Sequence, residues 1–193
     1  MKKVIVALDI DNCICNTTEA VLSVYNEEWN DNLSVDDIKT YWIENYVKPE
    51  AKESFHKYFL SRDMWKRVKP INIEAIQKLI DDNRFEVYFV TATSAENCAK
   101  KISFLSKHLK NIDISDRFIR TTHKELINAD VLIDDCTDNL NSDYSKINLC
   151  LAYPWNTDFS GRRFGFMSDI VEWLQRRVFL HQYSGCYVIW DNK

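Results

Sequence analysis

The chain has 193 residues with a formal net charge of −4, and hydrophobic residues make up 46% of it. That length is enough for one domain with a sizeable core, or for one domain that carries a small insert. The charge balance gives no basic footprint for a nucleic acid polymer. No apolar run reaches the ~18 residues of a membrane span, so we expect no membrane association.

The cysteines favour a cytoplasmic protein. Six are present, and none forms a Cys-x-x-Cys pair of the kind that binds zinc. Reduced thiols buried in a cytoplasmic protein are therefore the expectation. The N-terminus leads directly into a strand-like run and has no secretory signal organisation.

The predicted elements alternate along most of the chain. Five runs predict strands, at residues 3–8, 86–90, 117–121, 130–133 and 147–152. Four of these runs are nearly continuous in apolar residues, which is typical of parallel strands covered on both faces. Residues 73–82 and 95–109 repeat apolar side chains at helical spacing. The alternation predicts an α/β fold with a doubly wound parallel sheet.

The gap between the first two strands is too long for one crossover helix. We therefore predict that residues 16–68 are an inserted helical cap, and that residues 1–15 and 69–193 form the α/β core. Asn16 and Glu19 have capping-box spacing at the start of the first cap helix. A turn at 32–37 leads into a second helix, and 49–60 predicts a further one.

Aromatic residues are frequent in this insert, and most are expected to form its core. One or two could instead stack on a base in a pocket, and Trp65 is the first choice for this contact. Asn16 and Thr17, at the predicted hinge, are candidates for contacts with sugar or phosphate. Near the C-terminus, residues 187–190 could add an edge strand.

Polar residues follow four of the predicted strands, where ligands bind in a parallel α/β sheet. In chain order they are Asp9 and Asp11, then Thr91, then Lys124, and then the pair Asp134 and Asp135 with Asn139 further on. Neighbouring carboxylates repel each other unless a cation lies between them. Mg²⁺ takes such hard oxygen ligands and leaves room for a phosphate. The pattern predicts a site for one divalent cation and one phosphoryl group.

This order of motifs resembles the haloacid dehalogenase (HAD) superfamily of phosphatases. The motifs extend over residues 9–139, and the strand plan extends the resemblance to about residue 155. The segment Asp-Ile-Asp-Asn-Cys-Ile-Cys-Asn at 9–16, followed by a short helical cap, is most similar to the 5′(3′)-deoxyribonucleotidase group and its bacterial and phage relatives. The resemblance implies a HAD-like Rossmannoid core, Mg²⁺ as cofactor, and a small phosphate ester as substrate, specifically a deoxynucleoside monophosphate.

The resemblance also implies a role for each motif residue. Asp9 attacks phosphorus and becomes an aspartyl-phosphate, while Asp11 protonates the leaving alkoxide and later deprotonates the hydrolytic water. The Thr91 hydroxyl and the Ala92 N–H hold phosphate oxygens, and Lys124 neutralises the developing charge. The implied metal-binding residues are Asp9, Asp11 through its carbonyl, Asp135, and Asp134 through a bound water, with Asn139 as support.

The chain departs from the wider superfamily at two motifs. Thr91 precedes Ala-Thr where some relatives carry Ser-Pro, and Asp134 stands where Gly often precedes the final acid. Other functions stay open: a HAD phosphatase for another ester, such as a sugar phosphate, or an inactive nucleotide-binding regulator. A signalling receiver domain also combines these groups, but there the Lys follows the acids and no long cap occurs. A homodimer is an open alternative to a monomer.

Overall fold

The structure is a computed structural model that describes residues 2–141, 147–180 and 186–190, so part of the C-terminal tail 179–193 lies outside the described residues. Six strands form its main sheet: β1 (Val4–Asp9), β2 (Phe85–Thr91), β3 (Phe118–Arg120), β4 (Val131–Asp134), β5 (Ile147–Leu151) and β6 (Arg162–Phe164). Every pair of neighbouring strands is parallel, and their order is β3-β2-β1-β4-β5-β6. The predicted doubly wound parallel sheet is therefore confirmed.

The order of the strands explains where the site forms. The chain adds β2 and β3 on one side of β1, then crosses to add β4, β5 and β6 on the other side. A crevice opens at such a switch point, beyond the carboxyl ends of the strands. Asp9 ends β1 and Asp134 ends the neighbouring strand β4, so both carboxylates reach this crevice.

Strand β6 was not predicted. It is only three residues long, and two of them are arginines, which gives no apolar signal. The strand lies at the edge of the sheet, where one side needs no partner strand. Arg163 donates to Asn156 Oδ1 at 2.9 Å, and the guanidinium of Arg162 lies 5.1 Å from the ring centre of Trp173.

The described residues form nine α-helices. They are α1 (Thr17–Trp29), α2 (Pro49–Lys52), α3 (Lys57–Leu60), α4 (Arg62–Arg67), α5 (Ile73–Asp81), α6 (Ala95–His108), α7 (Ile114–Arg117), α8 (Thr137–Leu140) and α9 (Met167–Arg177). The helices predicted at 73–82 and 95–109 are confirmed to within one residue as α5 and α6. Among these elements, no helix combines the length and the apolar character needed to cross a membrane.

Helices α1 to α4 pack around a buried cluster of their own. Tyr25 of α1 contacts Phe55 and Tyr58 edge to face, with ring centres 5.8 and 6.1 Å apart. The prediction of a single helix at 49–60 is wrong. A turn divides this segment into α2 and α3 and lets the rings of Phe55 and Tyr58 reach Tyr25. The helix expected after residues 32–37 is also wrong, since the chain forms only two short 3₁₀ turns in this region, at Val35–Asp37 and Ile43–Asn45.

The predicted capping box at the start of α1 is also wrong. The Asn16 side chain makes no cap to the helix backbone. Its oxygen accepts from Lys69 N at 2.6 Å, and its amide donates to Glu19 at 2.8 Å. Asn16 N also donates to Lys69 O at 3.2 Å. Asn16 therefore ties the start of the helical segment to its end, while the domain boundaries themselves stay a prediction.

The C-terminal strand forms, but outside the main sheet. Strand β8 (Tyr187–Ile189) pairs antiparallel with β7 (Val178–Leu180) in a separate two-stranded sheet. Tyr187 N donates to Lys2 O at 3.0 Å, which holds this small sheet against the start of the chain.

Candidate active site

The structure brings the predicted motif residues together beyond the carboxyl ends of the central strands. Asp9 ends β1, Thr91 ends β2, and Asp134 ends β4. Lys124 begins a 3₁₀ turn between β3 and β4. All four are buried, as is Asp135. Charges this deeply buried are stable only when they are paired or bind a cation.

Lys124 lies between two of these carboxylates. Its ammonium donates to Asp9 Oδ1 and, at 2.7 Å, to Asp134 Oδ2. Burial alone would lower the pKa of Lys124, but Asp9 and Asp134 raise it above the usual range. Lys124 therefore stays charged at neutral pH.

Asp134 is held by the protein on both oxygens. Besides Lys124, Asn139 Nδ2 donates to its Oδ2 at 3.0 Å, and Cys136 N donates to its Oδ1 at 2.9 Å. This arrangement fixes Lys124 opposite Asp9. The metal role of Asp134 through a water stays a prediction, as does the supporting role of Asn139.

The remaining acids crowd one another. Burial raises the pKa of Asp9 to about 7, with Lys124 opposing the rise and Asp134 adding to it. Burial, together with Asp9 and Asp134, raises the pKa of Asp135 well above its usual range. Asp9, Cys13 and Asp135 offer ligand atoms that all lie within 4.8 Å of one another. A divalent cation fits here, because it would relieve the repulsion that disfavours ionisation of both acids.

The donor set favours a hard cation. Two carboxylates supply oxygens, and burial raises the pKa of the Cys13 thiol, which keeps it neutral. Neutral thiols are poor ligands, because the thiolate is the form that binds metal. Asp9 and Asp135 are thus the side chains that would hold the ion, and the carbonyl of Asp11 remains a predicted ligand.

Asn12 was missed by sequence reasoning, although it stands inside the first motif. It adopts a left-handed backbone conformation with φ of 56°, which Asn tolerates better than most residues. Its amide donates to Asp135 Oδ2 at 3.0 Å, and its side-chain oxygen accepts from Thr18 N at 3.0 Å. Asn12 therefore connects the acidic cluster to the first turn of α1.

Asp11 lies apart from this cluster, with its side chain 34% exposed. Its Oδ1 accepts from the Thr17 hydroxyl at 2.5 Å. Its Oδ2 accepts from Lys101 Nζ and, at 3.5 Å, from the Thr91 hydroxyl. Burial raises the pKa of Asp11, but the charge and hydrogen bond of Lys101 and the Thr17 bond outweigh it and bring the pKa below its usual range.

Lys101 is the second site residue that sequence reasoning missed. It lies on α6, is only 2% exposed, and donates to Thr91 Oγ1 at 2.9 Å as well as to Asp11. A signal was present, because Asn97, Lys101 and Leu105 recur at helical spacing and form the buried face of α6. Polar residues at buried helical positions indicate a polar partner beneath them.

Asp11 lines a cavity of about 410 Å³. Ala92 and Lys101 also line it, as do Tyr41, Trp42 and Trp65. Trp65, predicted from sequence, is held by a bond from its Nε1 to Asn97 Oδ1 at 3.0 Å. Tyr41 and Trp42 were not singled out, yet they line this cavity and are 46% and 57% exposed. The volume falls in the range of small-molecule sites.

Solved structures share this architecture. A haloacid dehalogenase-like protein from Agrobacterium tumefaciens has a TM-score of 0.59 at 10% identity, and the match covers 87% of this chain and 96% of that one. A haloacid dehalogenase-like family hydrolase from Streptococcus pneumoniae also has a TM-score of 0.59, at 7% identity over 88% and 97% of the two chains. These likenesses show that the chain has the fold of the haloacid dehalogenase-like proteins.

Two sequence comparisons narrow the class. The model of the 5′ nucleotidase, deoxy (pyrimidine), cytosolic type C protein family (NT5C) matches residues 3–182. A 5′(3′)-deoxyribonucleotidase from Clostridium acetobutylicum is 30% identical over 142 residues, which are 72% of this chain and 77% of that protein. The chain therefore belongs to the NT5C family of nucleotidases and is a phosphoric monoester hydrolase. The resemblance found in the motifs is confirmed.

Proposed function

We propose that this protein hydrolyses deoxynucleoside monophosphates, with Mg²⁺ as cofactor and an aspartyl-phosphate on Asp9 as intermediate. The observation that carries the proposal is the position of Asp9, which ends β1 in contact with Lys124 and shares an acidic cluster with Asp135. Mg²⁺, when bound by Asp9 and Asp135, would supply positive charge that offsets the phosphate and the acids.

In the first step, an Asp9 carboxylate oxygen forms a bond to phosphorus as the bond from phosphorus to the leaving oxygen breaks. Asp11 gives its proton to the leaving alkoxide, which departs as the neutral alcohol. The Thr91 hydroxyl and the Ala92 N–H hold phosphate oxygens. Lys124, beside Asp9, neutralises part of the charge that develops on the phosphoryl group.

In the second step, water attacks the phosphorus of the aspartyl-phosphate, and Asp11 takes the proton of that water. The bond between phosphorus and the Asp9 oxygen breaks, which restores the Asp9 carboxylate and releases inorganic phosphate. The exposure of the Asp11 side chain to the cavity supports both proton transfers, since substrate and water reach it from that side.

The cavity supports a nucleotide as substrate. Tyr41, Trp42 and Trp65 line it, and aromatic faces of this kind stack on bases. His56 and Glu44 line the same cavity and offer polar contacts to a base or sugar. The relative named as a 5′(3′)-deoxyribonucleotidase supports the choice of deoxynucleotides.

A cytoplasmic setting belongs to the same proposal. Five of the cysteines are free thiols, and four of these are buried: Cys13, Cys15, Cys136 and Cys150. Free thiols suit a reducing compartment, in which disulfides are rare.

The test is phosphate release in Mg²⁺ from a panel of substrates: 5′ and 3′ deoxynucleotides and ribonucleotides, sugar phosphates and p-nitrophenyl phosphate. Asp9→Asn is the matched inactive control, because it keeps the shape of the side chain and removes the nucleophile. We expect release from deoxynucleotides by the unaltered protein and none by the variant. Release from sugar phosphates alone would refute the nucleotide assignment, and equal activity of Asp9→Asn would refute the intermediate.

A further inference from the structure

We propose that Lys101 is a positioning residue for the proton transfers of Asp11: it holds the Asp11 carboxyl beside Thr91 and acts on the two proton transfers through that carboxyl. This inference rests on the proposed function, because it assigns Asp11 the roles of acid and base. The motif order does not include Lys101, which lies on α6 rather than at a strand end.

The burial of Lys101 requires an electrostatic reason. Its side chain is 3% exposed, and an ammonium so far from water is stable only with close partners. Its partners are the Asp11 carboxylate and, at 2.9 Å, the Thr91 hydroxyl. Both are residues of the proposed reaction site, whereas a lysine that only stabilised the fold could pair with any acid.

The carboxyl of Asp11 is held from two sides. Thr17, at the start of α1, donates to its Oδ1 at 2.5 Å, and Lys101 donates to its Oδ2. Because both oxygens accept hydrogen bonds, the orientation of the carboxyl group is fixed. Loss of Lys101 would raise the pKa of Asp11. It would also leave Thr17 as the strong donor and allow the carboxyl group to rotate away from the substrate, and we expect this loss of position to dominate.

Each of the two buried lysines of the site contacts a different aspartate of the first motif. Lys124 is bonded to Asp9, the proposed nucleophile, and Lys101 is bonded to Asp11, the proposed acid and base. Removal of Lys101 therefore leaves the contacts of the nucleophile in place. A defect caused by Lys101 should appear in proton transfer and not in the attack on phosphorus.

Helix α6 gives this contact a rigid support. Asn97 lies one turn before Lys101 on the same buried face, and it accepts from Trp65 Nε1 and donates to Phe59 O at 2.8 Å. The same helix face thus holds the cavity wall through Asn97 and the acid through Lys101. Both contacts come from a regular element, which places side chains more accurately than a loop.

The experiment compares two leaving groups in single turnovers, with enzyme in excess over substrate and Mg²⁺ present. Release of the nucleoside from a deoxynucleoside 5′-monophosphate needs a proton from Asp11, because an alkoxide leaves poorly. Release of p-nitrophenolate does not, since that anion is stable in water. For Lys101→Met we expect the nucleoside rate to fall about 100-fold or more, the usual size of a general-acid contribution, and the p-nitrophenolate rate to change little.

The ratio of the two rates is independent of the fraction of folded enzyme, because misfolding lowers both equally. Lys101→Arg should recover part of the nucleoside rate, and Lys107→Met, an exposed lysine of the same helix, should leave the ratio unchanged. In an Asp11→Asn background, Lys101→Met should lower the nucleoside rate no further, since interacting residues are not additive.

If Lys101→Met leaves the ratio of the nucleoside rate to the p-nitrophenolate rate unchanged, the positioning role is wrong, while the proposed function stands. A further fall in the Asp11→Asn background would likewise show that Lys101 does not act through Asp11. An unaltered protein that releases neither leaving group would instead refute the proposed function, and this inference with it.

Discussion

The Lys124 ammonium joins the last residue of β1 to the last residue of β4, because it donates to both Asp9 and Asp134. All three side chains are at most 6% exposed, so water does not compensate for a lost partner. We expect Lys124→Met to lower the free energy of unfolding by about 3 kcal/mol or more, which is the usual cost of breaking a buried ion pair. Urea unfolding without metal measures this loss.

The matched control for Lys124 is an ion pair at the surface. Lys57 donates to Glu28 at 2.7 Å, and both side chains are 46% exposed. Lys57→Met should change the free energy of unfolding by less than about 1 kcal/mol. Equal losses in the two variants would contradict the view that Lys124 is stabilised by its burial between two acids.

The pH dependence of stability follows from the raised pKa values of Asp9 and Asp135. An unfolded aspartate has a pKa of about 3.9, whereas that of Asp9 in the fold is about 7. Between these values the folded protein binds more protons than the unfolded chain. The contribution of this site to the free energy of unfolding therefore falls as pH rises through that window, in the protein without metal. Thermal melts across the window measure it.

Added Mg²⁺ should reverse this trend, because it binds the ionised acids. We expect the metal to raise Tm more at about pH 8 than at about pH 6, since protons compete with the metal below the pKa of Asp9. Asp135→Asn should lose most of this effect at both pH values. An equal Mg²⁺ shift at both pH values in the unaltered protein would contradict the competition.

The strand-end residues were predictable because each lies next to an apolar run in the sequence. Asp9, Thr91 and Asp134 could be placed from the run before them and from the general behaviour of parallel sheets. The partner of Lys101 could not be predicted in this way, because Asp11 is 90 residues away and the contact depends on how α6 is rotated. The break between α2 and α3 within residues 49–60 could not be predicted from the sequence either, because the packing of Phe55 and Tyr58 on Tyr25 overrides the local helical periodicity.

Asn12 offers a test of how the first motif supports the metal site. Asn12→Gly keeps the left-handed backbone but removes the bond to Asp135 and the bond from Thr18 N. Residues that orient a metal ligand usually contribute about 10- to 100-fold to metal affinity. We expect a loss of this size for Mg²⁺ in Asn12→Gly, measured by calorimetry.

Asn12→Ala distinguishes the effect of the backbone conformation from the effect of the side-chain hydrogen bonds. It loses the same bonds, but alanine in a left-handed conformation adds about 1 kcal/mol of strain that glycine avoids. The two variants should therefore share one Mg²⁺ affinity and differ in their free energy of unfolding. A normal affinity in Asn12→Gly would show that the bond to Asp135 does not support the site.

Trp65 tests the nucleotide assignment directly. Its ring lines the cavity, and stacking of a base on an aromatic side chain contributes about 1–3 kcal/mol. We therefore expect Trp65→Ala to raise KM for a deoxynucleotide by about 5- to 100-fold, while KM for deoxyribose 5-phosphate, which has no aromatic ring, changes little. Trp65→Phe is the matched control, because it keeps an aromatic face and loses only the bond to Asn97.

Trp42 lines the same cavity as Trp65 and allows a second test of base stacking. Its ring is 57% exposed, so its removal costs little stability, whereas Trp65 is partly buried against α6. If both rings enclose the base, Trp42→Ala should raise the same KM without changing Tm. A rise in KM that is equal for a deoxynucleotide and for deoxyribose 5-phosphate in both variants would argue against stacking, because the sugar phosphate lacks the base.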